Sequence, residues 1–435
     1  MLPPEPNLPP PDPAVDPPPA TASAAGAGSL AWRRVTAAAH RVLPPLAQTV
    51  FWLAAVTIVL DRFPLPGGGS FGFRSLARNF VIVVILGHLA ATPGLRFVPV
   101  FLAAPLVAYL GAAVLSVAIN GEVWGDVRLL GAVVGFYVAA RALAAGRGGS
   151  VLLLHWLGVL VVLQLVREVA SQPELLLLRE DLRNTLVTDH PNSLGHEMAV
   201  LLPLFVGVAL RRDSGLLPLV YAVAAPIALL ITFSRSAWGT TALGVVAIFV
   251  SLRRRTRTAL QQGLLIGTVV VSAVIFVSIS YLSATRTEAD LQRLRIIEAS
   301  LSLFRDHWLV GVGFGAPNFK DVFPARYLEL YGEGLFLFHS HNTVVDVLAC
   351  TGLIGAAAAA WVVWRLGALA VRALRVAPAA SSPEGVCLAV SIAVFLAMGL
   401  FDVAATHPKL MFVFAVALAY IETRIGELAA SQRGG

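Results

Sequence analysis

The sequence predicts an all-α, polytopic integral membrane protein with about 12 transmembrane helices and a long periplasmic segment before the tenth. Two observations support this fold class. Hydrophobic residues make up 57% of the 435 residues, and charged residues only 13%, about half the usual quarter. The apolar runs are continuous and about 20 residues long, which is the length that a helix needs to cross a bilayer. The composition excludes a soluble enzyme.

Twelve apolar runs define the predicted spans, and the stretches between them define the domains. The runs cover residues 46–60, 79–91, 97–119, 127–142, 150–167, 193–210, 216–233, 236–252, 260–282, 342–364, 385–402 and 408–422. The predicted domains are a disordered Pro-rich cytoplasmic tail (1–29), helices 1–9 (30–282), a periplasmic loop (283–340), helices 10–12 (341–425) and a cytoplasmic tail (426–435). The tail at 1–29 lacks an apolar stretch, so we expect no cleavable signal peptide.

The charge pattern sets the predicted orientation. The net charge of +7 is typical of the positive-inside bias of membrane proteins, and we expect no nucleic acid partner. The clearest marker is the RRRTR cluster at 253–257, which lies in a short loop and predicts cytoplasmic termini. Cys350 and Cys387 both fall inside predicted spans, so we expect buried free thiols there.

The long segment 283–340 is predicted to lie outside the membrane. Apolar residues recur in it at spacings of three and four, which predicts an amphipathic helix on the outer membrane face or capping the bundle. They are Leu291, Leu294, Ile297, Leu301, Phe304 and Trp308. The glycine-rich stretch 311–319 then predicts a turn.

Four arginines are candidate anion ligands. Arg235 lies in TFSRSAWG, between the seventh and eighth spans. An arginine so close to hydrocarbon either snorkels to the interface or binds an anion, and its planar fork suits phosphate. Arg286, Arg293 and Arg295 lie in the long segment, where they belong either to a solvated face or to a local anion site.

His339, His341 and Asn342 open the tenth span. A histidine at this position can act as a base near neutral pH. The alternating H-x-H pattern can also bind zinc, although no further ligands of a zinc motif accompany it. A third interpretation is structural, with Ser340 as the helix cap and His341 in the first turn.

Three motifs resemble bacterial O-antigen ligases, and the resemblance covers roughly residues 45–425. HNTVVDVLACTGLIG resembles the signature H-[NSQ]-x9-G-x-x-[GTY], with His341, Asn342, Gly352 and Gly355 in register. TFSRSAWG resembles the Ser-Arg turn of the superfamily, and RLRIIEASLSLFRDHWLVGVGFGAPNF resembles its long periplasmic segment. The chain departs from the family pattern at Gly239, Ile297 and Trp308, where the family has Leu, Trp and Pro.

The resemblance implies an inverting, metal-independent glycosyltransferase without a cofactor. Such an enzyme takes polysaccharide from undecaprenyl pyrophosphate and ligates it to lipid A-core in lipopolysaccharide biosynthesis. It would sit among membrane lipids in the bacterial inner membrane, with its active site facing the periplasm. His341, or as second choice His339, would be the base. Arg235 and Arg293 would bind the donor pyrophosphate, with Arg286 or Arg295 as a third ligand.

Two alternatives remain at this point. An O-antigen polymerase, which extends lipid-linked repeats, shares the same motifs. A secondary transporter for a small anion belongs to another class and would need charged residues in mid-span and paired broken helices. The motifs separate ligase from polymerase less well than they identify the superfamily.

Overall fold

The protein is described by a computed structural model. It describes residues 48–49, 51–53, 100–144, 148–177, 186, 190–211, 214–252, 287–376, 383–400 and 408–433. Within these ranges the chain forms α-helices, one short 3-10 helix and irregular connections, with no β-strand. The prediction of an all-α protein is therefore confirmed.

In chain order, the helices with described bounds alternate with short connections. They are α1 (Ala103–Asn120), α2 (Gly125–Leu143), α3 (Gly149–Ser171), α4 (Pro191–Ala209), α5 (Leu216–Leu230), α6 (Arg235–Leu252), α7 (Thr287–Asp306), α8 (Ala316–Tyr331), α9 (Thr343–Val376), α10 (Glu384–Met398) and α11 (Pro408–Arg433). The 3-10 helix, Pro173–Leu177, follows α3.

Each of these helices except α7 and α8 corresponds to a predicted apolar span. By length and apolar composition, α1, α3, α4, α6 and α9 can cross a membrane, and α5 and α10 are shorter apolar helices. The spans predicted at 79–91 and 260–282 lie outside the described residues, as do most of the span at 46–60, the tail at 1–29 and the cluster at 253–257. The total of twelve spans therefore stays a prediction.

A helix, α7, lies where the amphipathic helix of the long segment is predicted, and it packs against α8 and α9. Its packed face is not the apolar stripe at 291–308. Ile296 and Leu303 are buried, whereas Leu291 and Leu294 are 55% and 63% exposed. The second helix of this segment, α8, was not predicted, although its buried Phe319, Phe323 and Tyr327 recur every four residues.

Helix α8 is joined to the turn between α1 and α2. The Asn318 side-chain oxygen accepts hydrogen bonds from the N–H groups of Glu122 and Val123, each at 3.0 Å. The Asp126 carboxylate accepts a hydrogen bond of 2.8 Å from the Ala316 N–H at the start of α8. These bonds fix the long segment against one end of the helix bundle. It is the end at which α1 finishes and α2 begins.

Helix α9 is broken at Gly352, where φ is +61° and ψ is −160°. In an unbroken helix the N–H groups of residues 353 and 354 would donate to the carbonyls of 349 and 350. They donate instead to the carbonyls of Trp308 and Leu309, at 2.8 and 3.2 Å. The glycine-rich segment after α7 therefore lies against the break.

The carbonyls released by the break find partners in the same segment. The Val312 N–H donates to the Ala349 carbonyl at 2.9 Å, and the Gly313 N–H donates to the Cys350 carbonyl at 3.2 Å. The Ser116 hydroxyl of α1 also donates to the Cys350 carbonyl, at 2.6 Å. The long segment thus replaces both helical bonds that the break removes, and the N–H groups of 353 and 354 and the carbonyls of 349 and 350 all have partners.

Candidate active site

Arg235 is the first residue of α6 and follows a turn of four residues after α5. Thr232 stabilises this turn, because its hydroxyl donates to the Leu229 carbonyl (2.7 Å) and accepts from the Ser234 N–H (3.3 Å). Phe233 adopts the left-handed backbone conformation, with φ of +47°. The predicted short turn before Arg235 is therefore confirmed, and the Arg235 side chain is half-buried.

Helix α4 also contributes to this site, which the sequence did not predict. A Cβ on Gly195 would lie 2.8 Å from the Cβ of Ser234, so α4 touches the turn directly. The next residue, His196, is only 2% exposed, and its Nε2 lies 3.0 Å from the Ser236 hydroxyl. His196 is thus in direct hydrogen-bonding contact with Ser236, the residue that follows Arg235. The signal that could have found it is a histidine beside a glutamate inside an apolar span.

Further buried polar side chains lie on α3 and α4. The Gln164 amide donates to the Glu197 carboxylate at 3.2 Å. Charged and polar groups inside a membrane helix bundle are costly to bury, and they are usually functional. The buried members of this cluster are Gln164, Arg167, Glu168, Ser193, His196 and Glu197.

The two candidate histidines lie in the loop that precedes α9. Asn342 caps this helix, because its side-chain oxygen accepts from the N–H groups of Val344 (3.0 Å) and Val345 (3.1 Å). The prediction that Ser340 is the cap, with His341 in the first turn, is therefore wrong. His341 precedes the helix instead, and its φ of +57° is left-handed. An asparagine oxygen can reach the N–H groups two and three residues ahead, as helix caps do.

The two imidazoles contact each other but differ in their hydrogen bonds. Their ring centroids are 4.4 Å apart, with an angle of 75° between the planes. The His341 backbone N–H donates to Nδ1 of His339 at 3.3 Å. In a neutral imidazole only one nitrogen accepts, so this bond places the proton of His339 on Nε2. The accepting nitrogen of His339 is then already used, which favours His341 as the base.

The end of α10 holds the histidine loop. The Thr343 N–H donates to the Gly399 carbonyl at 2.7 Å. The Asn342 side-chain amide donates to the Leu400 carbonyl at 2.8 Å. The last carbonyls of a helix have no partner within it, so the start of α9 satisfies those of α10.

The same end of α10 is flanked by α4 and α6. Both helices pack against α10 and against each other. Ser391 on α10 donates to the Val200 carbonyl of α4 at 2.8 Å, and a Cβ on Gly244 of α6 would lie 2.8 Å from Val394 of α10. Because α10 runs opposite to α4 and α6, its end lies beside their starts. Arg235, the start of α4 and the histidine loop are therefore arranged around one helix end.

Backbone strain marks the same two positions. Among the described residues, Phe233 and His341 are the two residues other than glycine with a positive φ. Such conformations cost of order 1–3 kcal/mol each and cluster at active sites. One precedes Arg235 by two positions, and the other is the candidate base itself.

Arg295 contacts two residues of the long segment itself. Its guanidinium donates to Glu333 at 3.1 Å and lies 5.4 Å from the ring centre of Tyr331. Partial burial, together with the hydrogen bond that Tyr331 donates to Glu298, raises the pKa of Tyr331 to about 12. The phenol therefore keeps its proton at neutral pH. Arg295 itself is 53% exposed and already neutralised by Glu333.

Arg293 lies on the packed side of α7, one turn before the buried Ile296. Its side chain is half-buried, and none of the described residues pairs with its guanidinium. Of the arginines predicted in the long segment, Arg293 is thus the better candidate for an anion. Arg286 lies outside the described residues. In the described part of the chain, no group of three or more His, Cys, Asp or Glu side chains is arranged to hold a metal ion.

Sequence comparison shows which family the residues of this site resemble. Residues 220–360 match the family described as O-antigen ligase (Wzy_C). Residues 220–360 are thus similar to the O-antigen ligase superfamily. The matched range runs from α5 to the first half of α9 and includes all six predicted site residues. None of the curated proteins compared with the chain matches it.

The match to the O-antigen ligase family indicates a general class of enzyme for residues 220–360. The family covers ligases and polymerases, which are membrane glycosyltransferase-like enzymes. Its members act on lipid-linked polysaccharide and lipid A-core substrates. The buried polar residues of α3 lie before the matched range, as does the helix that bears His196. These residues therefore extend the candidate site beyond the matched range.

Proposed function

We propose that the chain is an O-antigen ligase, an inverting and metal-independent glycosyltransferase. It would transfer polysaccharide from undecaprenyl pyrophosphate to a sugar hydroxyl of lipid A-core. The observation that supports this most directly is the arrangement of a strained histidine loop and the Arg235 turn around the end of α10. Both lie within the range that matches the O-antigen ligase family.

In this proposal the arginines stabilise the leaving group, the lipid pyrophosphate. As the sugar–oxygen bond breaks, the electron pair leaves with the lipid pyrophosphate, and its negative charge must be stabilised. Arg235 and Arg293 supply planar guanidinium groups that match phosphate oxygens. Helices α4, α6 and α9 all begin near the end of α10, and the positive ends of their dipoles add to this field. Arg286 remains a candidate third ligand, whereas the pairing of Arg295 with Glu333 argues against it.

The acceptor side needs a base. A sugar hydroxyl is a weak nucleophile, so its proton must leave as its oxygen bonds to the anomeric carbon of the donor. We assign this role to His341. His339 would help to hold His341 in place, because its Nδ1 accepts a hydrogen bond from the His341 backbone N–H. Attack opposite the departing pyrophosphate inverts the anomeric centre, and the reaction needs no metal for either step.

The proposed location follows from the substrates. Both are lipids of the outer leaflet of the bacterial inner membrane, so we place the histidine loop and the long segment on the periplasmic face. The exposed apolar stripe of α7, with Leu291 and Leu294, fits a helix that lies against membrane lipids.

The transporter alternative has weaker support. Buried charges occur at both ends of the bundle, with Glu197 near the histidine loop and the Glu384–Arg424 ion pair (2.7 Å) at the other end. Between them, α4 has no charged residue from 198 to 209, and α10 has none from 385 to 398. An ion path across the membrane would need polar groups along that distance.

The acceptor decides between ligase and polymerase. Purified protein would be given an undecaprenyl-pyrophosphate-linked glycan with chelator present, and offered either lipid A-core or a second lipid-linked repeat. We expect glycan transfer to lipid A-core. Extension of the lipid-linked repeat alone would make the protein a polymerase. If neither acceptor is used while vesicles containing the protein take up a small anion, glycosyl transfer itself is wrong.

A further inference from the structure

The left-handed conformation of His341 must be held by its surroundings. A residue with a Cβ adopts this conformation at a cost, and it persists only when neighbouring bonds fix it. The residues before and after His341 are the natural points of restraint. Asn342, on the following side, is fixed to the start of α9 and to Leu400.

The restraint on the preceding side is Asp346. Its carboxylate accepts a hydrogen bond of 2.9 Å from the Ser340 N–H. Its own N–H donates to the Asn342 carbonyl at 2.9 Å, as the first turn of α9 requires. The Ser340 hydroxyl donates to the same Asn342 carbonyl, again at 2.9 Å. Asp346 therefore ties the residue before His341 and the residue after it to one helical turn.

We propose that Asp346 is a positioning residue for His341, a role that rests on the proposed function. Its carboxylate closes a loop of seven residues, 340–346, and so fixes the backbone on which the base is carried. A hydrogen bond that a backbone N–H donates to a charged acceptor is stronger than one between neutral groups. Asp346 need not contact either substrate, because it acts through the Ser340 backbone.

The role predicts a specific pattern of kinetic defects. Asp346→Ala should lower kcat for glycan transfer at least about tenfold, as expected for one lost hydrogen bond to a charged group. The KM for the lipid-linked donor should stay near the wild-type value, because the arginines are untouched. Asp346→Asn retains an oxygen that can accept from the Ser340 N–H and should recover most of the kcat.

Asp321→Ala is the matched control. Asp321 is an exposed carboxylate on α8 in the same long segment, and its removal should leave kcat and KM unchanged. Thermal unfolding of each variant checks that the fold is retained. If Asp346→Ala keeps the wild-type kcat, or if Asp346→Asn is as impaired as Asp346→Ala, the positioning role is wrong.

A second measurement does not depend on transfer activity. Diethyl pyrocarbonate modifies accessible imidazoles, and mass spectrometry of the peptide containing residues 339–341 reports the rate at His341. Asp346→Ala should change this rate, whereas Asp346→Asn and Asp321→Ala should not. An inactive wild-type protein would count against the proposed function. A modification rate at His341 that is the same in the wild type and in Asp346→Ala would count against the role of Asp346.

Discussion

A Cβ on Gly352 would lie 2.4 Å from the carbonyl carbon of Leu309. The same close approach occurs from the other side, because a Cβ on Gly311 in the long segment would lie 2.2 Å from the carbonyl carbon of Cys350 in α9. Both glycines have positive φ, +61° and +72°. The two backbones can approach this closely only without side chains, which explains why glycine stands at each position.

Gly352→Ala should therefore separate the long segment from α9. We expect a loss of stability of at least about 2 kcal/mol from the forbidden backbone conformation, and a loss of glycan transfer. Thermal unfolding of the purified protein measures the first effect. Gly367→Ala is the control on the same helix, because a Cβ there meets nothing within 4 Å. Equal unfolding temperatures for the two variants would contradict this account of Gly352.

Arg235 depends on both its charge and its shape. Arg235→Ala should lower the transfer rate about 10²–10³-fold, as the loss of one anion-stabilising donor does. Arg235→Lys should also impair transfer, because a lysine cannot form the planar, two-pronged contact. Arg128→Ala, an exposed arginine near the start of α2, should have no effect. Normal transfer by a well-expressed Arg235→Ala protein would remove Arg235 from the site.

The contact between His196 and Ser236 is expected to orient Arg235. His196→Ala and Ser236→Ala should each reduce the transfer rate, and the double variant should be no worse than the poorer single one. A double-mutant cycle on the rates would show a coupling of about 1 kcal/mol, the usual worth of one hydrogen bond. Fully additive effects would mean that the two side chains act independently.

The two described arginines of α7 should differ. Arg293→Ala should weaken donor binding and turnover, since its half-buried guanidinium lacks a carboxylate partner among the described residues. Arg295→Ala should have the smaller effect, because Arg295 already pairs with Glu333. Arg305→Ala, exposed on the same helix, is the control. A greater loss of transfer in Arg295→Ala than in Arg293→Ala would reverse the assignment.

The predicted topology can be tested by labelling single cysteines from outside intact cells. Asp321→Cys, exposed on α8, should react with an impermeant reagent. Thr256→Cys, in the arginine cluster outside the described residues, should react only after the membrane is opened. Native Cys350 and Cys387 are both buried, so the background should be low. The opposite labelling pattern would invert the topology and move the histidine loop to the cytoplasm.

Much of the fold could be predicted because it follows from periodicity. Nine of the described helices lie where apolar runs predict them, five of them long and apolar enough to cross a membrane, and spacings of three and four predict a helix where α7 lies. Helix α8 was missed although its buried residues Phe319, Phe323 and Tyr327 recur every four residues, because Pro317 and Pro324 are residues that usually interrupt a helix. The break in α9 was missed because it depends on hydrogen bonds to a backbone 37 to 45 residues away in sequence, which no local pattern encodes.

The site was predicted as separate motifs and not as an arrangement. Both key residues have a local signal in the sequence. Arg235 is a charged residue at the end of a span, and His341 belongs to a family signature. The contribution of His196 was missed because it depends on the close approach of α4 at Gly195. Whether Arg293 or Arg295 is the more buried also depends on packing, because the helices that pack against α7 determine which of its faces is covered.

The central claim is that His341 takes the acceptor proton in a metal-independent glycan transfer. The direct test is the transfer rate to the acceptor by the wild type, His341→Ala and His339→Ala, with chelator present throughout. We predict that chelator leaves the wild type active and that His341→Ala falls about 10²–10⁴-fold, as removal of a general base does. We predict a smaller loss for His339→Ala. Wild-type rates in His341→Ala, or loss of wild-type activity on adding chelator, would contradict the claim.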